Sequence, residues 1–397
     1  MEYDIVIIGG GPAGLSFACS MLHSNVKVLL AERSNIDSIS KPQNDGREIA
    51  LTHLSLKILK KLGVWELINQ EEVSPLREAK VFDGDSPSLL NFKVDNSSIE
   101  ALGYLVPNYQ IRRALYDRVK TAKNIDIVTD VSVDDVLVSE EFSQVLLSNG
   151  KKIDAKLVVA ADSRFSDIRR KVGIPTLMKD FSKVMIVTKM NHELSHNNTA
   201  LECFDYGQTL ALLPMVGNSS SIVLTVSTDK SKSKIDMSEE KFNEMITESF
   251  KGEFGDMKQE GERHSYPLIA THAQTFIANR FALIGDASVG MHPVTAHGFN
   301  LGLRGQDILA NLVQEALEHG QDIGSKNMLK LYERKHINLT RLMFFGTNGI
   351  VALFTNDAPA VKQVRRLVLR FAEHFPPIKY LISNHLTEAK NNKFLPF

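Results

Sequence analysis

The chain opens with an apolar run at residues 3–8 (YDIVII), a glycine cluster, apolar positions at helical spacing over residues 13–22, and a second run rich in Val and Leu over residues 26–32. Short apolar runs bounded by glycine read as buried strands, so this opening predicts β-α-β, and a right-handed crossover makes its two strands parallel. Leu54, Ile58, Leu59, Leu62 and Trp65 recur at helical spacing within residues 51–68, and residues 112–119 carry a similar stripe, so both are expected to pack as helices behind the sheet. Two more buried strands are expected far down the chain, at residues 157–161 and 281–284. Residues 78–96 and 183–228 instead consist of short β-branched and apolar segments (VMIVTKM, LALLP, SSIVLTVS) punctuated by Gly, Asn and Ser, the pattern of antiparallel strands. Beyond residue 301 the periodicity turns helical, over 301–319, 327–345 and 360–375, the last broken by Pro376-Pro377.

This alternation predicts an α/β protein: a Rossmann-like nucleotide-binding domain, an inserted antiparallel β-sheet domain, and a helical C-terminus. The first domain is expected to be discontinuous (residues 1–75, 101–182 and 270–330), the sheet-rich domain to take residues 76–100 and 183–269, and residues 331–397 to form the helical region. Two domains suit 397 residues, because single cores stop growing at roughly 250 to 300 residues. Apolar residues at 43% and charged residues at 23%, with a net charge of −1, place the chain among soluble globular proteins and give no basic footprint for nucleic acid. Cys19 and Cys203 lack the spacing of a metal or redox pair, which points to a reducing, cytoplasmic setting. The N-terminus has no basic leader or cleavage site. Residues 341–354 are apolar but carry Gly and Asn and fall short of the ~20 apolar residues of a spanning helix, so no transmembrane helix is expected.

Three motifs carry chemistry. Gly9-x-Gly11-x-x-Gly14 lies directly after a strand and opens a helix: Gly9 permits the turn, Gly11 lets a pyrophosphate approach the backbone, and Gly14 lets helix and strand pack closely. Glu32, at the end of the second strand, has the spacing of an acid that binds ribose hydroxyls. The stretch Arg280 to Ala287 is a strand ending in Gly285-Asp286, which presents a carboxylate where open α/β sheets bind ligands. His292-Pro293-Val294-Thr295-Ala296-His297-Gly298-Phe299-Asn300 follows and leads into a long helix, whose positive end suits negative charge beside whatever Asp286 holds.

In this order and separation the motifs resemble the FAD-dependent aromatic hydroxylases of the para-hydroxybenzoate hydroxylase fold, and most of all the ubiquinone-biosynthesis ring hydroxylases (UbiH- and UbiF-like). Asp45-Gly46-Arg47-Glu48-Ile49-Ala50-Leu51 with Leu62-Gly63-Val64-Trp65, Gly103-Tyr104-Leu105-Val106-x-Asn108, and Leu353-Phe354 through Pro376-Pro377-x-Lys379 match that subgroup. The middle Asp-Gly motif appears as Asp162-Ser163, with Ser166 and Arg169 following; Ser288-Val289 replace the usual Ala-His; and GMHPVTAHGFN is similar to the minor UbiM branch. The resemblance implies FAD, held by Gly9, Gly11, Ala13, Gly14, Glu32, Arg33, Arg47, Asn108, Asp162, Asp286, Gly298 and Asn300, with NAD(P)H as the expected reductant. It further implies that O2 adds at the flavin C4a carbon and that the hydroperoxide gives its terminal oxygen to the ring of a polyprenylated phenol or quinol. No metal is implied.

Several readings stay open on sequence. His292 and His297 either deprotonate the phenol or hydrogen-bond backbone and flavin, and no catalytic base is fixed. A single dinucleotide fingerprint leaves NAD(P)H docking without a Rossmann domain of its own, or electrons arriving from a protein partner. Arg112 reads as a surface charge or a flavin contact, Arg113 as a solvated charge. The run over residues 361–382 alternates basic and apolar positions, and either lies peripherally on the inner face of a membrane or packs on the flavin domain. Three functions follow: hydroxylation of a lipid-tailed ubiquinone precursor, in company with other ubiquinone-biosynthesis proteins; hydroxylation of a small soluble or carboxylated phenol, which needs a buried arginine; or a flavin-binding subunit without turnover, the option left by the altered Asp-Ser and Ser-Val motifs.

Overall fold

A computed structural model of the chain describes residues 2–83, 90–94, 100–205, 207–292, 297–355 and 361. Its opening follows the hydrophobic pattern: strand Tyr3–Ile8, helix Pro12–Ser20 and strand Val28–Ala31, with Ile5 opposite Val28 and Ile8 opposite Ala31 in parallel register. Strand Lys152–Ala160 pairs in parallel on the other side of Tyr3–Ile8, and Phe281–Leu283 pairs in parallel beyond it. Ile125–Val128 extends the opposite edge. Ile5, Ile7, Leu30, Leu157, Val159 and Phe281 are fully buried in this sheet, which therefore brings together the start, the middle and the late part of the chain.

Some elements differ from the periodicity. The helix expected over residues 51–68 is only His53–Lys61, capped by Thr52; Gly63, at φ +65°, turns the chain into the short 3₁₀ segment Trp65–Leu67. The helix expected at 112–119 begins earlier, as Asn108–Val119. A hairpin of Val133–Val138 and Ser143–Leu147 joins the first sheet through Lys152–Ala160 without having left a distinct signal in the sequence. The helix expected to end at residue 345 continues as Lys326–Thr355. By length and composition its span Lys326–Phe354 is apolar enough to cross a membrane, contrary to the expectation from residues 341–354. Here one side of it is packed: Tyr332, His336 and Phe344 are buried, and the Tyr332 hydroxyl donates to the Leu283 carbonyl at 2.6 Å. The helix expected over 360–375 falls outside the described residues apart from residue 361.

The second sheet runs in the order Val289–Gly290, Met257–Ala273, Thr176–His192, Ser219–Ser227, Gln208–Pro214, Thr199–Asp205, Glu78–Asp83, Leu90–Lys93. Two of these strands are 17 residues long and pair with each other across two register shifts, between Asp180 and Val184 and between Val187 and Lys189. Alternate residues face opposite sides. Ile186, Leu212 and Ile222 pack with Phe242 and Ile246 of helix Glu239–Ser249, which closes the outer face. The inner face carries Met185, Val187 and Leu268 with Val223 and Tyr266, and further along Leu90, Phe92 and Leu102 with Ala79 and Val81. A small third sheet of Glu48–Leu51, Gly103–Pro107 and Ser74–Leu76 stands beside it.

Candidate active site

The glycine motif is built as its chemistry requires. Gly9 has φ +111°, and a Cβ there would lie 2.5 Å from the Ala161 carbonyl oxygen, so strand and turn touch backbone to backbone. A Cβ on Gly14 would lie 2.0 Å from the Gly9 carbonyl oxygen, whereas one on Gly11 would meet nothing within 4 Å. Open space thus lies in front of Gly11, at the start of a helix that has no side-chain cap on its first N–H groups. That is a cradle for an anion. At its edge, Glu32 accepts hydrogen bonds from Gly10 N (2.6 Å) and Ser34 N (2.8 Å), which fix the carboxylate at the strand end. Arg33, next to it, is exposed.

Three chain segments meet behind this cradle. Gly285 has φ +58°, and its Cβ would lie 2.5 Å from that of Ala13; a Cβ on Gly302 would lie 3.2 Å from the Gly285 Cα. The Gly285–Ala287 turn, helix Pro12–Ser20 and helix His297–Glu318 therefore close on one another only because small residues occupy the contact. Arg169, buried, donates to the Ala287 carbonyl (2.6 Å) and the Arg164 carbonyl (3.0 Å), and Arg164 contacts Asp286 at 3.3 Å. Ser166 caps the short helix that carries Arg169, and burial raises the pKa of Asp162 in the same loop. The altered Asp162-Ser163 motif thus still ties its loop to Asp286.

On the opposite wall, Asp45 receives Arg47, whose Nε lies 3.0 Å away, and the Asn108 side-chain amide at 2.8 Å; this neighbourhood holds its carboxyl below the usual range against the opposing effect of burial. The Arg47 guanidinium lies over the Tyr266 ring at 5.3 Å, and the Tyr266 hydroxyl donates to the Asp45 carbonyl at 2.7 Å. Asp286 acts electrostatically on Arg47, while Asp45 and Glu32 act on Arg112, so these charges share one cleft. Arg112 turns inward to the Ser38 carbonyl at 2.9 Å, and Arg113 pairs with Asp117 on the solvent side. Asn300 binds backbone: its amide nitrogen donates to Ala50 O (2.8 Å) and its oxygen accepts from Thr52 N (3.1 Å), which pins strand Glu48–Leu51 to helix His297–Glu318.

His292 is buried edge-on against Phe181 at 4.7 Å; burial, with Lys183 and Arg164 nearby, pushes its pKa down to about 4. His297 begins its helix and is buried. Gly298 is placed near Met291, where its Cβ would lie 3.8 Å from the Met291 side chain. The structure also assembles groups that spacing alone did not single out. Glu48 lies near Asp45 and Glu72, and burial first, then those acids, raises its pKa to about 8. Tyr266 reaches the site only through the fold of the second sheet and left no motif, whereas Arg164 lies within the Asp162-Ser163 motif at a position that spacing did not single out. Asp45 was legible only as a neighbour of Arg47.

A family profile for the FAD binding domain matches residues 2–342 of the chain. Ubiquinone hydroxylase UbiM of Neisseria meningitidis is 47% identical over 391 residues, covering 98% of this chain and 85% of that protein. Ubiquinone hydroxylase UbiL of Rhodospirillum rubrum is 32% identical over 384 residues, covering 96% and 89%. Among solved structures, p-nitrophenol 4-monooxygenase PnpA from Pseudomonas putida is similar in fold with a TM-score of 0.78 at 16% identity, covering 98% of this chain and 100% of that one. The anion cradle, the fixed Glu32 and the Asp286 turn are what such a cofactor domain requires, and the chain belongs to the FAD-binding domain family and, within it, to the ubiquinone hydroxylases.

Proposed function

We propose that this protein is an FAD-dependent monooxygenase that hydroxylates the ring of a polyprenylated phenol or quinol on the route to ubiquinone, with NAD(P)H as electron donor. FAD, when bound, supplies the reduction of O2 that leads to oxygen transfer to the ring. Gly9, Gly11, Ala13 and Gly14 would hold its pyrophosphate, Glu32 its ribose, with Arg33 at the outer end. Asp286 would bind the ribityl chain, and Arg47, Asn108 and Asp162 would flank it, with Gly298 at the positive end of the long helix. Asn300 serves by positioning strand Glu48–Leu51. His292, neutral and weakly basic, serves better as a hydrogen-bonding wall than as the base that removes a phenolic proton.

The observation that carries this reading is the inner face of the second sheet. Opposite the Asp45–Arg47 segment it offers Met185, Val187, Val223 and Leu268. The arginines around it are engaged: Arg47 with Asp45, Arg164 with Asp286 and the Ile269 carbonyl, Arg169 with two carbonyls. Among these described residues no buried, uncommitted arginine awaits a ring carboxylate, whereas an uncharged phenol with an apolar tail fits. We further propose that the protein works at the cytoplasmic face of a membrane. Supporting this, Leu342, Phe345 and Ile350 of helix Lys326–Thr355 are 64%, 60% and 44% exposed on one side, and Arg334, Lys335 and Arg341 lie exposed just before them.

The test is a mass-spectrometric quinone profile of cells lacking the protein. Accumulation of one under-hydroxylated, prenylated intermediate, cleared by the wild type and not by Asp286→Ala, is expected. An unchanged profile would overturn the reading.

A further inference from the structure

Glu202 is an acid on a strand whose neighbours are otherwise apolar or small. Strand Thr199–Asp205 sets it opposite Ala211, and the row continues through Val223 and Val187 to His264; on the other side Glu202 faces Val81. Directly paired residues project from the same face of a sheet. Leu201, the adjacent residue, belongs to the outer-face core with Phe242 and Ile246, so Glu202 points to the inner face, between the Val81–Leu90–Phe92 cluster and the Met185–Val187 cluster. Gly46 marks the other end of the row: with φ +72°, its Cβ would lie 2.8 Å from the His264 ring and 3.6 Å from the Val187 side chain. Glu202 and the cofactor-side segment Asp45–Arg47 therefore flank one stretch of apolar sheet, Glu202 standing three strand spacings, roughly 14 Å, from Val187.

We propose that Glu202 is a specificity-determining residue of the substrate pocket, which offers a hydrogen bond to a ring oxygen of an uncharged phenol and turns away substrates that carry a ring carboxylate. This rests on the ring-hydroxylase reading above and adds to it the group that selects the ring. Glu202 retains partial exposure despite its position inside the fold, so its carboxyl opens on interior space. Enclosure alone, with no charged neighbour and no hydrogen bond contributing, pushes its pKa up to about 8. Around it stand Val81, Ala211, Ala200, Leu213, Phe204 and Thr209, with Ala79 and the acid Asp83 at the diagonal register positions of the neighbouring strand, and Phe204 is closed off by Phe354 of the long helix at 4.3 Å. At neutral pH the carboxyl is protonated and can donate; above about pH 8 it ionises, becomes acceptor-only, and loses a phenol ether or carbonyl oxygen as partner. A second carboxylate brought beside Glu202 would meet another acid and, among the described residues paired with it, no cation.

The test titrates purified, flavin-loaded protein with 2-geranyl-6-methoxyphenol, whose ether oxygen can only accept, and with its 4-carboxylate, read from the flavin absorbance, for wild type, Glu202→Gln and Glu202→Ala between pH 6.5 and 9. Expected for the wild type is binding of the phenol that weakens as pH rises through 8, with little binding of the carboxylate. Glu202→Gln keeps a donor and cannot ionise, so its phenol affinity stays within about threefold of wild type at pH 7 and loses the pH dependence. Glu202→Ala weakens phenol binding about tenfold. Wild-type affinity in Glu202→Ala, or an unchanged pH dependence in Glu202→Gln, overturns the inference while leaving the hydroxylase reading in place. Failure of the wild type to bind the phenol while it binds the carboxylate overturns both.

Discussion

Gly11 and Gly14 sit three residues apart and are small for different reasons, which makes them separable by experiment. Alanine at Gly14 drives a Cβ against the Gly9 carbonyl, so helix and strand must part, at a cost of ~1–3 kcal/mol or more. Alanine at Gly11 meets no protein atom and sits at φ −75°, which any residue adopts, so the apoprotein is expected to melt at or slightly above the wild-type temperature. Its flavin affinity should nonetheless fall at least about tenfold, because the added methyl occupies the approach of the pyrophosphate. Equilibrium dialysis with FAD, beside melting curves of the apoproteins, distinguishes the two. Gly11→Ala that binds FAD normally would show that the cradle holds something else. His336 offers a second residue-scale test. It is fully buried against Gly305 and close to His272, and burial pushes its pKa down to about 3, that of His272 to about 4. A histidine whose folded pKa lies below its unfolded value binds its proton more readily when unfolded, so stability falls as pH drops below about 6.5 and keeps falling toward the folded value. For His336 this amounts to roughly 2 kcal/mol between pH 7 and pH 5. His336→Leu should flatten that part of the melting-temperature profile, and an unaltered acid slope would show that the loss comes from elsewhere.

At the scale of elements, the helix Lys326–Thr355 does two things with its two sides. Tyr332 and Glu333 fasten it to the nucleotide domain, the latter accepting from Phe276 N at 2.8 Å, while further along Leu342 and Phe345 face away from the packed side and, with Ile350 at its margin, stand in solvent. If that side meets lipid, Leu342→Gln with Phe345→Gln should lower binding to vesicles containing an anionic phospholipid by tenfold or more, since each buried leucine or phenylalanine contributes ~1.5–3 kcal/mol. Flotation of wild type and variant, with absorbance at the flavin maximum to verify folding, reads this out. Equal flotation would assign membrane contact, if any, to another surface. Elements also show where the sequence could be read and where it could not. Tyr3–Ile8, Pro12–Ser20 and Val28–Ala31 were legible because local pattern and glycine spacing agree. The hairpin Val133–Val138 and Ser143–Leu147 was not, because DDVLV and SQVLL are short, half-polar segments whose strand character comes from pairing with Lys152–Ala160. The same limit applied to the site. Gly9, Glu32 and Asp286 stand beside local punctuation, whereas Tyr266 and Glu202 are placed by strand register, and register is a property of partners far away in the chain.

At the scale of the molecule, the substrate sheet is coupled to the nucleotide domain through continuous backbone as well as contact. Strands Thr176–His192 and Met257–Ala273 run without interruption from beside the nucleotide domain to the far end of the second sheet, and their register shifts bend them on the way. Tyr266, on one of these strands, touches both Asp45 and Arg47.

The central sheet, finally, orders the events of synthesis. Tyr3–Ile8 is synthesised some 150 residues before its neighbour Lys152–Ala160. Asp286, helix His297–Glu318 and the Tyr332 hydroxyl that secures Leu283 follow later still. The flavin can therefore be held on all sides only once Asp286 and helix His297–Glu318 have been made.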